Sequence, residues 1–164
     1  MNRKFLASVV LGWAMLSGTA AWAEPHDVWD YYMLLPKDYF EVPNREQLFK
    51  DMRGTLDKKN GYLKMDGDGA QHGMELGLFK RTHGDYLLAA YLPPMDEPQV
   101  FLDFFKYENG KLVKQNWAKI MPVKFDENLL YKIPRTGTDI VVTKPNGKKL
   151  YVLKWNGEKF QRTK

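Results

Sequence analysis

The chain has no cysteine, and its only serines are Ser8 and Ser17. The first absence removes disulfides, thiolate metal ligands, lipid attachment through cysteine and every thiol nucleophile. The second removes the serine triad from everything after residue 17. Histidine is scarce as well, with His26, His72 and His83 alone in 164 residues. None of them stands at H-x-x-x-H spacing, so a zinc site has little to build on. Long apolar runs are confined to the beginning of the chain. "FLASVVLGWAMLSGTAAWA" follows Arg3 and Lys4 and ends in small residues, with Ala21 and Ala23 flanking Trp22. A positive start, an apolar centre and an A-x-A end predict a secretory signal at 1–23, cleaved after Ala23. No later run is long enough to cross a bilayer as a helix, so no transmembrane segment is expected in the mature chain.

Removing 23 of 164 residues leaves 141, the size of one domain spanning 24–164. Without disulfides, packing alone must hold it. The expected location is outside the cytoplasm, either periplasmic or secreted. Export removes nucleic acid from the expected partners. The signal carries two of the 25 basic residues, leaving 23 against 20 acidic ones. Charge is concentrated at the end: residues 139–164 hold seven basic and two acidic side chains. Such a segment suits an anionic polymer or, more simply, lysines that keep sheet edges from aggregating.

What the chain has in abundance is Asn-Gly, at Asn60-Gly61, Asn109-Gly110, Asn146-Gly147 and Asn156-Gly157. A two-residue hairpin turn needs positive φ at both central positions, which Asn tolerates and Gly adopts freely. The flanks are strand-like: "QVFLDFFKY" before Asn109, "KLVKQNW" after Gly110, "DIVVTKP" and "KKLYVLKW" around Asn146-Gly147. A further hairpin is expected at His83-Gly84, where His83 could take positive φ, between "GMELGLFKRT" and "DYLLAAYL". The prediction is a mainly β, β-rich α+β domain: an antiparallel meander of about seven or eight strands after a short N-terminal helical region. "PNREQLFKDMRG" reads as a helix capped by Asn44 and stopped at Gly54. "HDVWDYYMLLP" reads as a second helix before Pro36, and "DENLLYKIP" as a helical turn between sheet halves.

Candidate sites follow from residue type. Phe101, Phe105 and Tyr107 share one strand face while Leu102 and Phe104 share the other. A strand apolar on both sides is either covered twice, with the N-terminal helix as one cover, or offers one face for binding. Lys148, Lys149 and Trp155 on the basic hairpins complete the candidate binding set. Asp66 and Asp68 open like a calcium loop, yet Ala70 and Gly77 stand where that loop needs ligands, so a glycine turn is the favoured reading. Asp103, Glu108, Asp126 and Glu127 could supply paired carboxylates for hydrolysis. No residue pattern requires a cofactor.

"LYKIPRTGTDIVVTKPNGKKLYVLKWNGEKFQRTK", with "LFKRTHGDYLLAAYL" and "DFFKYENGKLV", resembles small exported bacterial proteins of uncharacterised families that chain β-hairpins. The resemblance spans 61–164 and implies hairpins, with no catalytic residues. The expected function is a non-enzymatic exported binding protein for a protein partner, with inhibition as one form, or for a cell-envelope polymer. A carboxylate hydrolase and a metal-dependent module are the alternatives.

Overall fold

The computed structural model describes residues 24–39, 42–67, 72–94 and 101–163. The predicted signal and Asp68 lie outside them. The chain is mainly β, with two antiparallel meanders in succession. The first is a six-stranded sheet in the order β1 (Thr55–Asp57), β2 (Tyr62–Met65), β3 (Met74–Lys80), β4 (Tyr86–Leu92), β5 (Phe101–Glu108) and β6 (Lys111–Lys114). The second is four-stranded: β7 (Leu130–Lys132), β8 (Asp139–Thr143), β9 (Lys149–Trp155) and β10 (Phe160–Thr163). The described strands therefore number ten in two sheets. The extra elements are the short β1 and the division of the meander after β6.

Both faces of the six-stranded sheet are covered. Leu87, Ala89 and Tyr91 of β4 join Leu102 and Phe104 of β5 on one face. They pack against Tyr131, Ile140, Val142, Tyr151, Leu153 and Phe160 of the second sheet. Leu88, Ala90 and Phe105 point the other way, into a core with Val28, Tyr31, Tyr32, Leu48 and Met52. Those come from α1 (Val28–Leu34), α2 (Arg45–Asp51) and the residue ending it. The order is helices, six-stranded sheet, four-stranded sheet. The doubly apolar β5 is thus covered twice, by helices on one side and a sheet on the other.

The helices form where their caps stand. Asp27 accepts hydrogen bonds from Trp29 N and Asp30 N to start α1. Asn44 accepts from Gln47 N to start α2. The open carbonyl end of α1 is closed by α2: the Arg45 guanidinium donates to the carbonyls of Tyr32 (2.8 Å) and Met33 (3.1 Å). The Tyr32 hydroxyl returns a bond to the Arg45 carbonyl at 2.9 Å.

The Asn-Gly turns divide. Only Asn109-Gly110 has positive φ at both positions, 51° and 86°, the two-residue hairpin turn. At Asn146-Gly147 only the glycine is left-handed, and Lys144 N donates to Lys148 O across a three-residue loop. His83-Gly84 follows the same pattern, so Gly84 and not His83 takes the positive φ. Asn60 ends a turn of 3-10 helix (Lys58–Asn60) that joins β1 to β2. "KLVKQNW" is strand only to Lys114; Asn116 then caps the short helix α3 (Trp117–Ile120). "DENLLYKIP" is not helical: its first residues form a turn held by Asp126, which accepts from Asn128 N, and Leu130–Lys132 within it are strand β7.

Two seams fix one sheet over the other. At one end the Trp155 indole donates to the Lys80 carbonyl at 2.7 Å, and Thr82 N donates to Gly157 O at 3.1 Å. Arg81 bridges Glu158 and Asp85 there, each at 2.8 Å. At the other end Ile133 N donates to the Glu75 carboxyl at 3.2 Å, and Arg135 pairs with Asp57 at 2.9 Å. Gly77 admits Ile133 so closely that a Cβ built on it would lie 2.6 Å from Ile133 Cγ2. Gly77→Ala should therefore lower stability by about 1–3 kcal/mol through overpacking. Combined with Ile133→Ala, which removes the colliding methyl, the loss in urea denaturation should be smaller than the sum of the two single losses.

Candidate functional site

Tyrosine at a layer margin can bury its ring and leave its hydroxyl at the boundary. Three tyrosines do this at one corner of the six-stranded sheet. The β4–β5 register sets Leu87 opposite Lys106, which brings the next residues, Tyr86 and Tyr107, together on the helix face. Tyr31 of α1 lies with them and is 3% exposed. With Glu24, His26 and Asp85 these residues line a cavity of about 260 Å³ between the segment entering α1, the β3–β4 turn and the end of β5.

The electrostatics are one-sided. Burial pushes the Tyr31 phenol up to about 12, reinforced by the carboxylates of Asp85 and Glu24 and by Tyr86 and Tyr107. Tyr31 therefore stays protonated at physiological pH, and its hydroxyl bonds to none of the described residues. Asp30 stands behind the rim, accepting from His26 N at 2.8 Å. Asp85 is held by Arg81, whose guanidinium is shared with Glu158. The arrangement offers hydroxyls, aromatic rings and carboxylates to whatever enters.

Of the six candidate binding residues read from the sequence, Tyr107 alone lines this cavity. Phe105 is 1% exposed, with the Tyr39 ring at 5.6 Å. Phe101 is 46% exposed but begins β5, at the opposite end from Tyr107. Lys148 and Lys149 are exposed beside the β8–β9 turn, on the other sheet. Trp155, half-buried, packs on Phe79 and Phe160 and forms the seam described above. The six residues thus form no single patch. Arg162, another cation of the basic end, lies over the Tyr151 ring at 4.3 Å. Tyr86 and Asp85 are not marked in the sequence: the His83-Gly84 turn sets Tyr86 opposite Lys80, and only the β4–β5 pairing brings it beside Tyr107.

Asp66 is exposed and paired with Lys64 at 2.7 Å. Among the described residues, no group of three His, Cys, Asp or Glu side chains could hold a metal ion. The candidate hydrolytic carboxylates are dispersed in their roles. Asp103 accepts from Lys114 at 2.8 Å and from the Tyr39 hydroxyl. Asp126 holds its own turn, and Glu108 and Glu127 are exposed.

One carboxyl is set apart by its surroundings. Glu75 lies opposite Tyr91 in the β3–β4 register and accepts from Ile133 N. Burial holds its pKa above the usual carboxylate value against the pull of that bond, Lys64 and Lys132, with Asp66 adding a smaller push upward. The adjacent Tyr91 hydroxyl is buried and makes no close hydrogen bond, the Tyr131 backbone acting on it only weakly against burial. A carboxyl whose pKa is raised by folding binds its proton more tightly in the native state. Its ionisation therefore removes stability as pH rises from 4.5 through the native value. Glu75→Gln, which keeps an acceptor for Ile133 N, should be more stable than wild type at pH 7 in thermal denaturation. The advantage should shrink as pH falls through the native value and level off below 4.5.

Compared with models of known protein families, with curated proteins and with solved structures, the chain matches none.

Proposed function

We propose that the protein is an exported, non-enzymatic binding protein whose ligand is a protein or a cell-envelope polymer, contacted at the tyrosine cleft. Export is supported by Arg3 and Lys4 ahead of an apolar run ending in Ala21 and Ala23. A binding role is supported above all by the cleft itself. Tyr31, Tyr86 and Tyr107 line an open cavity with a protonated hydroxyl free to bond. Concave surfaces with a few convergent polar groups are where ligands are held. The absence of cysteine, and of serine after residue 17, leaves two common covalent mechanisms without a nucleophile. A second site on the basic hairpins is less favoured, because Trp155 is committed to the seam and Arg162 to Tyr151.

The test is capture from an envelope extract by immobilised protein. Wild type should retain a component that the Tyr86→Ala and Tyr107→Ala variants lose, while circular dichroism and melting show both variants folded. Equal retention by wild type and both variants would move the contact away from the cleft. Turnover of the captured component, abolished by neutralising a carboxylate, would replace the binding role with hydrolysis.

A further inference from the structure

Resting on the binding reading, we propose that the cleft recognises an alkylammonium group on its ligand. The lining contains aromatic rings, carboxylates and the imidazole of His26, and no lysine or arginine. Aromatic faces attract cations through their quadrupole, and a cationic headgroup caged by aromatic rings is a recurring mode of ammonium recognition. Here Tyr31, Tyr86 and Tyr107 provide the rings and Asp85 provides opposite charge at the mouth, while the Glu24 carboxylate is offset by the α-ammonium that cleavage after Ala23 leaves on the same residue. Arg81 does not cancel that charge. It sits between Asp85 and Glu158, so its triad keeps one carboxylate in excess, and Asp30 adds another nearby. An anionic ligand would meet repulsion from Asp85 and Asp30.

An acidic rim alone would be solvated surface. The second observation is Tyr31: it is 3% exposed, it lines the cavity, and its hydroxyl bonds to no described residue. Its ring is buried while the hydroxyl is left to the cavity, where a ligand can bond to it. The phenol oxygen carries lone pairs toward which an ammonium N–H, or the hydroxyl of an amino alcohol, can donate. Size agrees. Cavities for drug-sized ligands run to roughly 300–1,000 Å³. This one, at about 260 Å³, suits a single headgroup.

The experiment is titration of the full purified protein at pH 7.5 and low salt, followed by calorimetry and by tyrosine fluorescence. The probes are choline, its neutral isostere 3,3-dimethyl-1-butanol, a glucosamine oligomer and Nα-acetyl-lysine amide. Choline should bind, and the isostere should bind at least about tenfold more weakly, as expected where a cation faces aromatic rings. Asp85→Asn and Tyr107→Ala should each weaken choline binding while Tyr31→Phe, which keeps the ring, reports the hydroxyl separately. Added salt should weaken binding in wild type. Whichever of the glucosamine oligomer and the lysine derivative binds more tightly identifies a polymer or a protein as the carrier of the group. Equal binding of choline and its isostere would overturn the ammonium inference and leave a binding cleft. Silence with all four probes would overturn it too, and the capture experiment would then decide the binding role independently.

Discussion

Leu87, Leu88, Ala89 and Ala90 of β4 are consecutive and wholly excluded from solvent. In a strand, consecutive side chains point to opposite faces, so this run needs cover above and below. A single meander cannot provide it. The second sheet supplies one cover, and α1 and α2 supply the other. The rest of the architecture follows from that need. Arg45 closes the end of α1 so that the helix pair can lie on apolar surface, and the Trp155 and Ile133 seams fix the second sheet in register. The small side chains Ala89 and Ala90 let both layers approach the centre of the sheet.

Where this double cover ends, polar groups can reach solvent, and tyrosine is the residue suited to that boundary. Tyr86 and Tyr107 stand at the edge of the helix layer, and Tyr31 reaches them from α1. The same logic produces a different outcome between the sheets. There Glu75 and Tyr91 are further inside, so the carboxyl holds its proton more tightly and the Tyr91 hydroxyl makes no close hydrogen bond. Two polar clusters therefore mark two margins of the sheet, one open to solvent and one largely closed.

The local signals were legible because their physics is local. Asn109-Gly110 needs only its own φ angles, and Asn44 needs only the amide of Gln47. The alternation in β5 announced two apolar faces before any partner was visible, and left open whether both were covered. The covers themselves were not legible. Nothing near Gly77 says that Ile133, far along the chain, will pack on it, nor that Trp155 will bond to Lys80. Asn146-Gly147 and Asn60-Gly61 share a dipeptide with Asn109-Gly110 but not its geometry, because the chain around them sets the loop length and the second positive φ is not required. In the cleft, Tyr107 drew notice through its aromatic strand. Tyr86 became visible only when the β4–β5 register set it beside Tyr107. Trp155 looked like a surface aromatic because its partner is a distant carbonyl.

The account depends on β4 being the doubly covered centre of the molecule. Native-state hydrogen exchange measures this directly, since amides deep in a core exchange only through global unfolding. The amides of Leu87, Leu88, Ala89 and Ala90 should be among the slowest in the chain, with opening free energies equal to the global value from denaturation. The edge strands β1, β6, β7 and β10 should open at lower cost. Fast exchange along β4, with greater protection confined to β8 and β9, would contradict the three-layer arrangement.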